Sequence, residues 1–330
     1  MFPEQKNKDN NDRWVPAAYI QDLKSRAAII ADIRSFFAKK GVLEVETPLM
    51  CRHATTDPYI DSIPVQYGRN QERFYLQTSP EYAMKRLLAA GSGPIYQICK
   101  AFRNSEEGRL HNPEFTMIEW YRLGFTDQDL MDEVDELLQL TLQSKAAERI
   151  SYEALFLKVL GINPHFATLE QLKNCAIEKE IQLDLTLMKT LTVDDWLDIL
   201  MSHYIEPQLG FERPAMIFDF PASKAALARI RPGTPAVAER FEVYVNGIEL
   251  ANGYHELTDA AIQKKRFEND VKQREKLGLA VMPIDHYLLE ALEFGLPACA
   301  GIALGIDRLI LLSLKKKHIE EVVSFTVDRV

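Results

Sequence analysis

Along the chain the apolar positions keep two periods and switch between them at definable points. Over residues 23–40, Ala27, Ile30, Ile33, Phe36 and Phe37 recur at the spacing of one helical face, and Gly41 is placed to stop the helix. Residues 42–45 read as short and extended, running into Thr47-Pro48. Further strands are predicted over 63–66, 73–76, 95–102 and 114–122. A helix is predicted to start near Ser79-Pro80-Glu81, where Ser79 can cap and Pro80 suits the first turn. The stretch from 127 to about 209 reads as mostly helical, broken at Gly161-Ile162-Asn163-Pro164. Strands resume over 216–219, 240–245 and 248–257, and a charged helix follows over 259–277. Residues 300–314 read as a strand, a turn at Gly305 and a helix with Asp307 near its start. Strands that succeed one another without intervening helices imply an antiparallel sheet, hence an α+β fold rather than a doubly wound one.

Composition narrows the class. Of 330 residues, 47% are hydrophobic, enough for a sizeable core. Residues 1–12 are polar and charged, which excludes a secretory signal, and no run approaches the roughly 18 apolar residues of a membrane span. A polar tail over 1–13 and a single domain over 14–330 are therefore expected, the helical stretch about 127–210 being an insertion. Cys51, Cys99, Cys175 and Cys299 lie far apart without a CxxC pair, which suits reduced thiols in a cytoplasmic protein and argues against zinc. The net charge of -9 argues against broad nucleic-acid binding. The one basic run, Lys315-Lys316-Lys317, reads as a solvated helix end. No GxGxxG or GxxxxGK[ST] is present, so a nucleotide would have to be held in another way.

Three segments concentrate chemistry. In residues 102–121 a strand enters a polar loop, Arg103-Asn104-Ser105-Glu106-Glu107-Gly108-Arg109-Leu110-His111-Asn112-Pro113, and a second strand returns. On the return, Glu119 and Tyr121 share a face at period two inside an otherwise apolar run. A surface hairpin with scattered charge is the plain alternative. In residues 247–257, Glu249 and Glu256 flank Asn252-Gly253, and a turn or bulge there would bring both carboxylates to one Mg²⁺. An Asn-Gly hairpin with solvent-facing acids is equally compatible. In residues 301–309, Arg308 sits in a helix's first turn, where it opposes the dipole and a phosphate or aromatic ligand would account for it.

Taken in order, these segments resemble the three motifs of class II aminoacyl-tRNA synthetase catalytic domains, the lysine subclass most closely. Residues 26–50, ending Gly41-Val42-Leu43-Glu44-Val45-Glu46-Thr47-Pro48, resemble motif 1. Residues 102–121, with His111-Asn112-Pro113-Glu114-Phe115, resemble motif 2, and residues 301–309 resemble motif 3. The match covers nearly the whole chain. It implies an α+β class II catalytic domain, an antiparallel sheet flanked by helices, paired as a homodimer through motif 1. It implies ATP and Mg²⁺ as cofactors. Arg103 would grip the α-phosphate and the substrate carboxylate, and Phe115 and Arg308 would sandwich the adenine. Asn104, Ser105, His111, Asn112, Leu250 and Gly305 would complete the ATP site. Glu249 and Glu256 would hold metal and ATP, with Glu256 also touching the amino acid. Ser79, Pro80 and Glu81 would meet the substrate amino group, and Glu119 with Tyr121 the side-chain ammonium. A buried carboxylate and hydroxyl suit a lysine-type cation and are left unpaired by a substrate lacking it.

Two departures shift the expectation. The lysyl enzymes carry an anticodon-binding barrel ahead of motif 1, for which the residues before Arg26 leave no room. Their third motif has Gly where Ala303 stands, and one added methyl in a pocket wall discriminates by roughly 1–3 kcal/mol. Both departures are similar to the family of elongation factor P–(R)-β-lysine ligases, whose resemblance extends through Gly247-Ile248-Glu249-Leu250-Ala251-Asn252-Gly253-Tyr254-His255-Glu256-Leu257. That family adenylates (R)-β-lysine and transfers it to a lysine of elongation factor P. The implied protein is a cytoplasmic ligase for a lysine-like substrate, with elongation factor P as partner, no stable tRNA binding and no membrane. Ser105 departs from the family's Glu, and Glu106 follows it. A truncated enzyme charging tRNA, and a silent binding paralogue, are the competing readings.

Overall fold

A computed structural model describes residues 13–184, 188 and 190–330. The expected polar tail, Arg13 apart, lies outside the described residues. In chain order the first elements are α1 (Ile20–Lys39), β1 (Leu43–Glu44), β2 (Met50–Cys51), β3 (Pro64–Tyr67), β4 (Glu72–Leu76), α2 (Glu81–Ala89), β5 (Ile95–Phe102) and β6 (Glu114–Leu123). Then come α3 (Asp127–Leu142), β7 (Glu148–Ser151), α4 (Tyr152–Leu160), α5 (Leu169–Glu178), α6 (Val193–Leu200), β8 (Ala215–Pro221) and β9 (Ile230–Arg231). The last are β10 (Val237–Val245), β11 (Ile248–His255), α7 (Ala260–Lys276), α8 (His286–Gly295), β12 (Cys299–Gly305) and α9 (Ile306–Ser313). Among the described residues the chain forms two compact units, one of 13–121, Asp259–Pro297 and Ala303–Val330, the other within Arg122–Thr258 and Ala298–Ile302.

In the first unit β1 runs parallel to β5, with Leu43 opposite Ile95, and β5 runs antiparallel to β6. Helix α1 buries Ile33 and Phe37. The Phe37 ring stacks on Tyr96 at 4.6 Å and meets Trp120 edge-on at 5.2 Å, which seats the helix on the β5–β6 pair. Strands β2, β4 and β3 form a small separate sheet in that order. Arg274 of α7 is fully buried because its guanidinium is saturated by the carbonyls of Ala280, Asp57 and Ile60 and the carboxylate of Asp61. The backbone carbonyl of Asp61 in turn accepts from the N–H of Asn104, so this staple reaches the loop after β5.

The second unit holds the helical stretch expected over about 127–210. Helices α3, α5 and α6 each open with a capping box (Thr126 with Asp129, Thr168 with Gln171, Thr192 with Asp195), and α4 ends on left-handed Gly161, at the break the sequence marks. Strand β7, four residues parallel to β8, interrupts the helices and was not expected. Trp196, Tyr152, Phe156, Phe220 and Tyr244 form the core where these helices meet β8 and β10. Strand β10 lies between β8 and β11, antiparallel to both. Among the described residues no helix is long and apolar enough to cross a membrane.

Two Asn-Gly pairs lie close together in sequence, and only one turns. Asn246 and Gly247 have φ of 51° and 71°, the positive pair that a two-residue type I′ hairpin requires, and they join β10 to β11. Asn252-Gly253 instead sits within β11, where Gly253 pairs with Phe241. A Cβ at Gly253 would lie 2.6 Å from the Phe241 ring and 3.1 Å from Ile302 Cβ. Phe241 is fully buried and cannot yield. Gly253→Ala is therefore expected to lower stability by about 1–3 kcal/mol, the usual cost of overpacking, measured as a reduced urea midpoint at unchanged m-value. An unchanged midpoint would show that the ring has room to move.

Candidate active site

The β5–β6 register sets the first unit's site. Gln97 faces Glu119 and Ala101 faces Phe115, so Phe115, Met117, Glu119 and Tyr121 fall on one side of β6. Glu119 is 2% exposed, and its Oε1 accepts from the Tyr121 hydroxyl at 2.6 Å. Its Oε2 is buried and makes no hydrogen bond of ordinary geometry. Glu81 opens α2, where its N–H donates to Ser79 Oγ at 3.0 Å, with Pro80 in the cap position. Glu81 Oε1 pairs at 2.6 Å with Nζ of Lys85 one turn on, a lysine whose side chain is only 3% exposed. Burial, and next the charge of Glu81, push the Glu119 carboxyl up to about 8, against the opposing pull of Tyr121, Ser79 and Lys85. Cys99, on the facing strand, is pushed up to about 12 by burial and then by Glu119. This buried cluster therefore holds two carboxyl groups and one internal cation, a pattern suited to a second ammonium.

The loop between β5 and β6 closes on itself. The Arg103 N–H donates to Pro113 O, and Gly108 and His111 exchange backbone hydrogen bonds. The Arg103 guanidinium lies 5.2 Å over the Phe115 ring, with NH1 3.6 Å from Glu106 and its buried Nε without a hydrogen-bond partner. Glu106, not Ser105, thus supplies the carboxylate beside Arg103; Ser105 is exposed in a left-handed conformation with φ 60°. Arg308, in the first turn of α9, donates to Nε2 of His111 at 2.7 Å. Burial and then Arg308 push the His111 pKa down, so the ring stays neutral with Nε2 as acceptor. Gly305 caps α9 and Ala303 is a half-buried position of β12. Asn112 is committed elsewhere: its amide donates to Glu114 O at 2.6 Å and its oxygen accepts from Val327 N–H at 3.1 Å, which ties the loop to the last residues. Asn104 is exposed, held by its backbone alone.

In the second unit the pairing of Glu249 with Glu256 requires correction. The expected turn at Asn252-Gly253 is continuous strand, and at about 3.3 Å per residue the two carboxylates lie roughly 20 Å apart along β11. They do not share one ion. What joins Glu249 to other acids is a bulge: Val243 pairs with Ala251 but Tyr244 with Glu249, leaving Leu250 unpaired. The extra residue turns Glu249 onto the face that carries Tyr244 and Glu242. Glu242 is paired with Arg240 and accepts from the Tyr244 hydroxyl, which also lies 3.2 Å from Glu206. Burial, then Glu242 and Glu249, push Glu206 up to about 7. Glu256, at the strand's far end, is 2% exposed and its N–H donates to Cys299 O. A further cluster, Asp127, Glu239 and His255, brings its ligand atoms within 4.8 Å of one another. There Arg229 already covers both oxygens of Glu239, so a side chain supplies the cation.

The sequence pattern of tRNA synthetases class II (D, K and N) matches residues 9–329. The chain belongs to this family. Among curated proteins it is 51% identical over 319 residues to a protein of Photobacterium profundum named elongation factor P–(R)-β-lysine ligase, covering 96% of this chain and 98% of that one. Proteins of the same name from Vibrio vulnificus and Vibrio cholerae are 52% and 50% identical, over 94% and 97% of this chain and 97% and 99% of theirs. For a class II chain, the residues that sequence reading passed over are Lys85, Glu206 and Glu242. Alternation along β10 places Glu242 and Tyr244 on one face, which was legible; the bulge that adds Glu249 was not.

The Glu119 titration makes a signed prediction. The folded state holds this proton up to about 8, whereas the unfolded carboxyl releases it near 4.5. Between those values the native state binds the extra proton, so stability falls as pH rises. Urea unfolding compared at about pH 6 and about pH 9 should show the wild type losing stability relative to Glu119→Gln. Parallel pH dependence in both proteins would mean that Glu119 ionises normally.

Proposed function

We propose that this class II chain is an ATP-dependent ligase that activates (R)-β-lysine as its adenylate and transfers it to a lysine side chain of elongation factor P. The observation that carries the substrate class is the buried Glu119–Tyr121 pair beside Glu81, with Lys85 as internal counter-cation. A pocket so charged favours a substrate bearing an ammonium at its far end, and a neutral side chain leaves a buried carboxylate unpaired. The relatives' name supplies the isomer and the acceptor.

In the first step the substrate carboxylate oxygen bonds to the α-phosphorus of ATP and pyrophosphate leaves. Arg103, whose buried Nε lacks a partner and whose nearest carboxylate stands 3.6 Å away, is the group available to meet the α-phosphate and the carboxylate together. Arg308, oriented by neutral His111, presents a guanidinium plane to the adenine opposite Phe115. In the second step the acceptor's neutral ε-amine attacks the acyl carbon, AMP leaves, and the amine proton passes to solvent. No protein nucleophile takes part.

The carboxylates of Glu206, Glu242 and Glu249 fit Mg²⁺. Burial, and then their mutual repulsion, raises Glu206, and oxygen ligands of that charge suit a hard cation. Mg²⁺ bound there would neutralise phosphate charge during adenylation. Glu256 is assigned to the amino acid rather than to metal. A cytoplasmic homodimer paired through α1 and β1 completes the proposal.

The test is intact-mass analysis of elongation factor P incubated with ATP and each lysine isomer. The expected result is a gain of one lysyl unit with the (R)-β isomer, and loss of roughly 100-fold or more in rate for Arg103→Met, as for removal of one transition-state charge donor. Lysine appearing on tRNA instead, or no isomer-dependent ATP–pyrophosphate exchange, would sink this reading.

A further inference from the structure

Lys85 lies outside the three motifs, yet it is one of the most buried cations in the protein. Its side chain is 3% exposed and its Nζ is 2.6 Å from Glu81 Oε1. A lysine is almost never buried to this degree without a charge to meet, and burying one is costly unless the geometry is good. A surface Glu–Lys pair at i, i+4 would contribute only a few tenths of a kcal/mol to the helix. That is a weak reason to bury both groups beside the substrate pocket.

The surroundings supply a stronger reason. Glu119 faces Glu81, Ser79 and Lys85 from α2 and its lead-in, Tyr121 from its own strand and Cys99 from β5. Lys85 in turn faces Tyr82, which lies within reach of Thr55 and Asp270. Lys85 is the one cation among these groups. Without it, Glu81 and Glu119 would be two like charges in a desolvated space, and Glu119 would hold its proton more tightly still.

We propose that Lys85 is a specificity-determining positioning residue: it neutralises Glu81, so that Glu119 can be ionised for the terminal ammonium of the substrate. The proposal rests on the lysine-activating reading above and deepens it. Lys85 does not itself receive the substrate; it acts through the charge of Glu119. A pocket with Lys85 prefers a cation. A pocket without it holds the Glu119 proton more tightly against displacement by an ammonium, and the protonated acid donates a hydrogen bond as readily to a hydroxyl as to any neutral acceptor. The preference for an ammonium over an isosteric alcohol is therefore set one helical turn away from the groups that touch it.

Two variants test this. Lys85→Met removes the cation and leaves Glu81 charged. Glu81→Gln with Lys85→Met removes both charges and restores the pocket's net balance, which keeps the test open if the single variant folds poorly. The first readout needs no substrate: the Glu119 carboxyl, followed by 13C NMR of glutamate-labelled protein and assigned with Glu119→Gln, is titrated in each form. Lys85→Met should move the titration up by about one pH unit or more, a tenfold change in the ionisation equilibrium, and the double variant should return it toward the wild-type position. The second readout is the ratio of kcat/KM for (R)-β-lysine over the analogue with a hydroxyl for its terminal ammonium. That ratio should fall about tenfold in Lys85→Met, mostly through KM, following the same equilibrium.

An unmoved Glu119 titration in Lys85→Met, or a double variant that stays with the single one, overturns the proposal. So does a kcat loss with the substrate ratio unchanged, which is what a merely structural lysine would give. If the titrations behave as expected but the wild type activates neither lysine isomer, the functional reading fails and the charge-setting role of Lys85 stands.

Discussion

Asp307 is 3% exposed at the start of α9, and the way its charge is satisfied fixes the rest of the first unit. One oxygen lies 2.6 Å from Arg26 of α1, and the other accepts the backbone N–H of Thr116 on β6 at 2.7 Å. Arg26 also donates to Thr116 Oγ1 and to Val322 O. The helix resembling motif 1, the strand resembling motif 2 and the helix resembling motif 3 are thus joined through a single carboxylate. Breaking such a pair typically costs about 3–5 kcal/mol, because the partner is left charged and buried. Each structural residue is also the chain neighbour of a residue expected to face the nucleotide. Thr116 follows Phe115 and points to the opposite side of β6. Asp307 precedes Arg308 and lies roughly 100° from it around α9. Holding Thr116 against Asp307 therefore fixes the backbone that carries Phe115 and Arg308.

Charge beyond what the fold needs appears in both units, with one physical signature. Glu119 and Glu206 are each raised first by burial and then by a neighbouring carboxylate, Glu81 for the one and Glu242 for the other. In each case a tyrosine hydroxyl, Tyr121 or Tyr244, hydrogen-bonds the acid without neutralising it. A fold selected for stability alone would place apolar side chains there, since desolvated like charges oppose folding. Asp127, Glu239 and His255 provide the internal contrast. They crowd just as closely, but Arg229 closes on Glu239 and the cluster is balanced from within the chain. Proximity of acids is common to all three clusters; in the two with a proposed ligand the acids outnumber the cation beside them, Lys85 for Glu81 and Glu119 and Arg240 for Glu206, Glu242 and Glu249, whereas Arg229 and Arg231 both meet Glu239.

The sequence carried most of the fold because its periods were unmixed. Strands β5 and β6 and helix α7 fell where alternation and helical spacing put them, and Gly161 ended α4 as its neighbouring Asn-Pro suggested. Strand β7 was hidden because four residues between two helices carry too little alternation to oppose the helical signal. In the site, Arg103 lies over Phe115, Arg308 meets His111, and Tyr121 meets Glu119. Asn112 did not remain available, because a buried amide must satisfy both its ends and found backbone partners for each. Lys85 was overlooked since a lysine in a helix reads as solvated until its burial is known.

The error over Glu249 and Glu256 has the most general cause. They lie seven positions apart, an odd interval, so in an unbroken strand they point to opposite faces. A turn at Asn252-Gly253 was one way to reconcile them, and the sequence offers an identical dipeptide at Asn246-Gly247 that does turn. Dipeptide chemistry cannot rank the two, since both have the residues that a positive φ favours. Packing ranks them: a turn at Gly253 would remove the strand that lies on Phe241, whereas Gly253 within the strand is what lets that ring fit. The remaining mismatch in parity is absorbed by one unpaired residue, Leu250, whose side chain stays buried while its neighbour Glu249 changes face. The acid cluster with Glu242 is thus produced by a core constraint on a leucine and a phenylalanine, neither of which carries any of the chemistry.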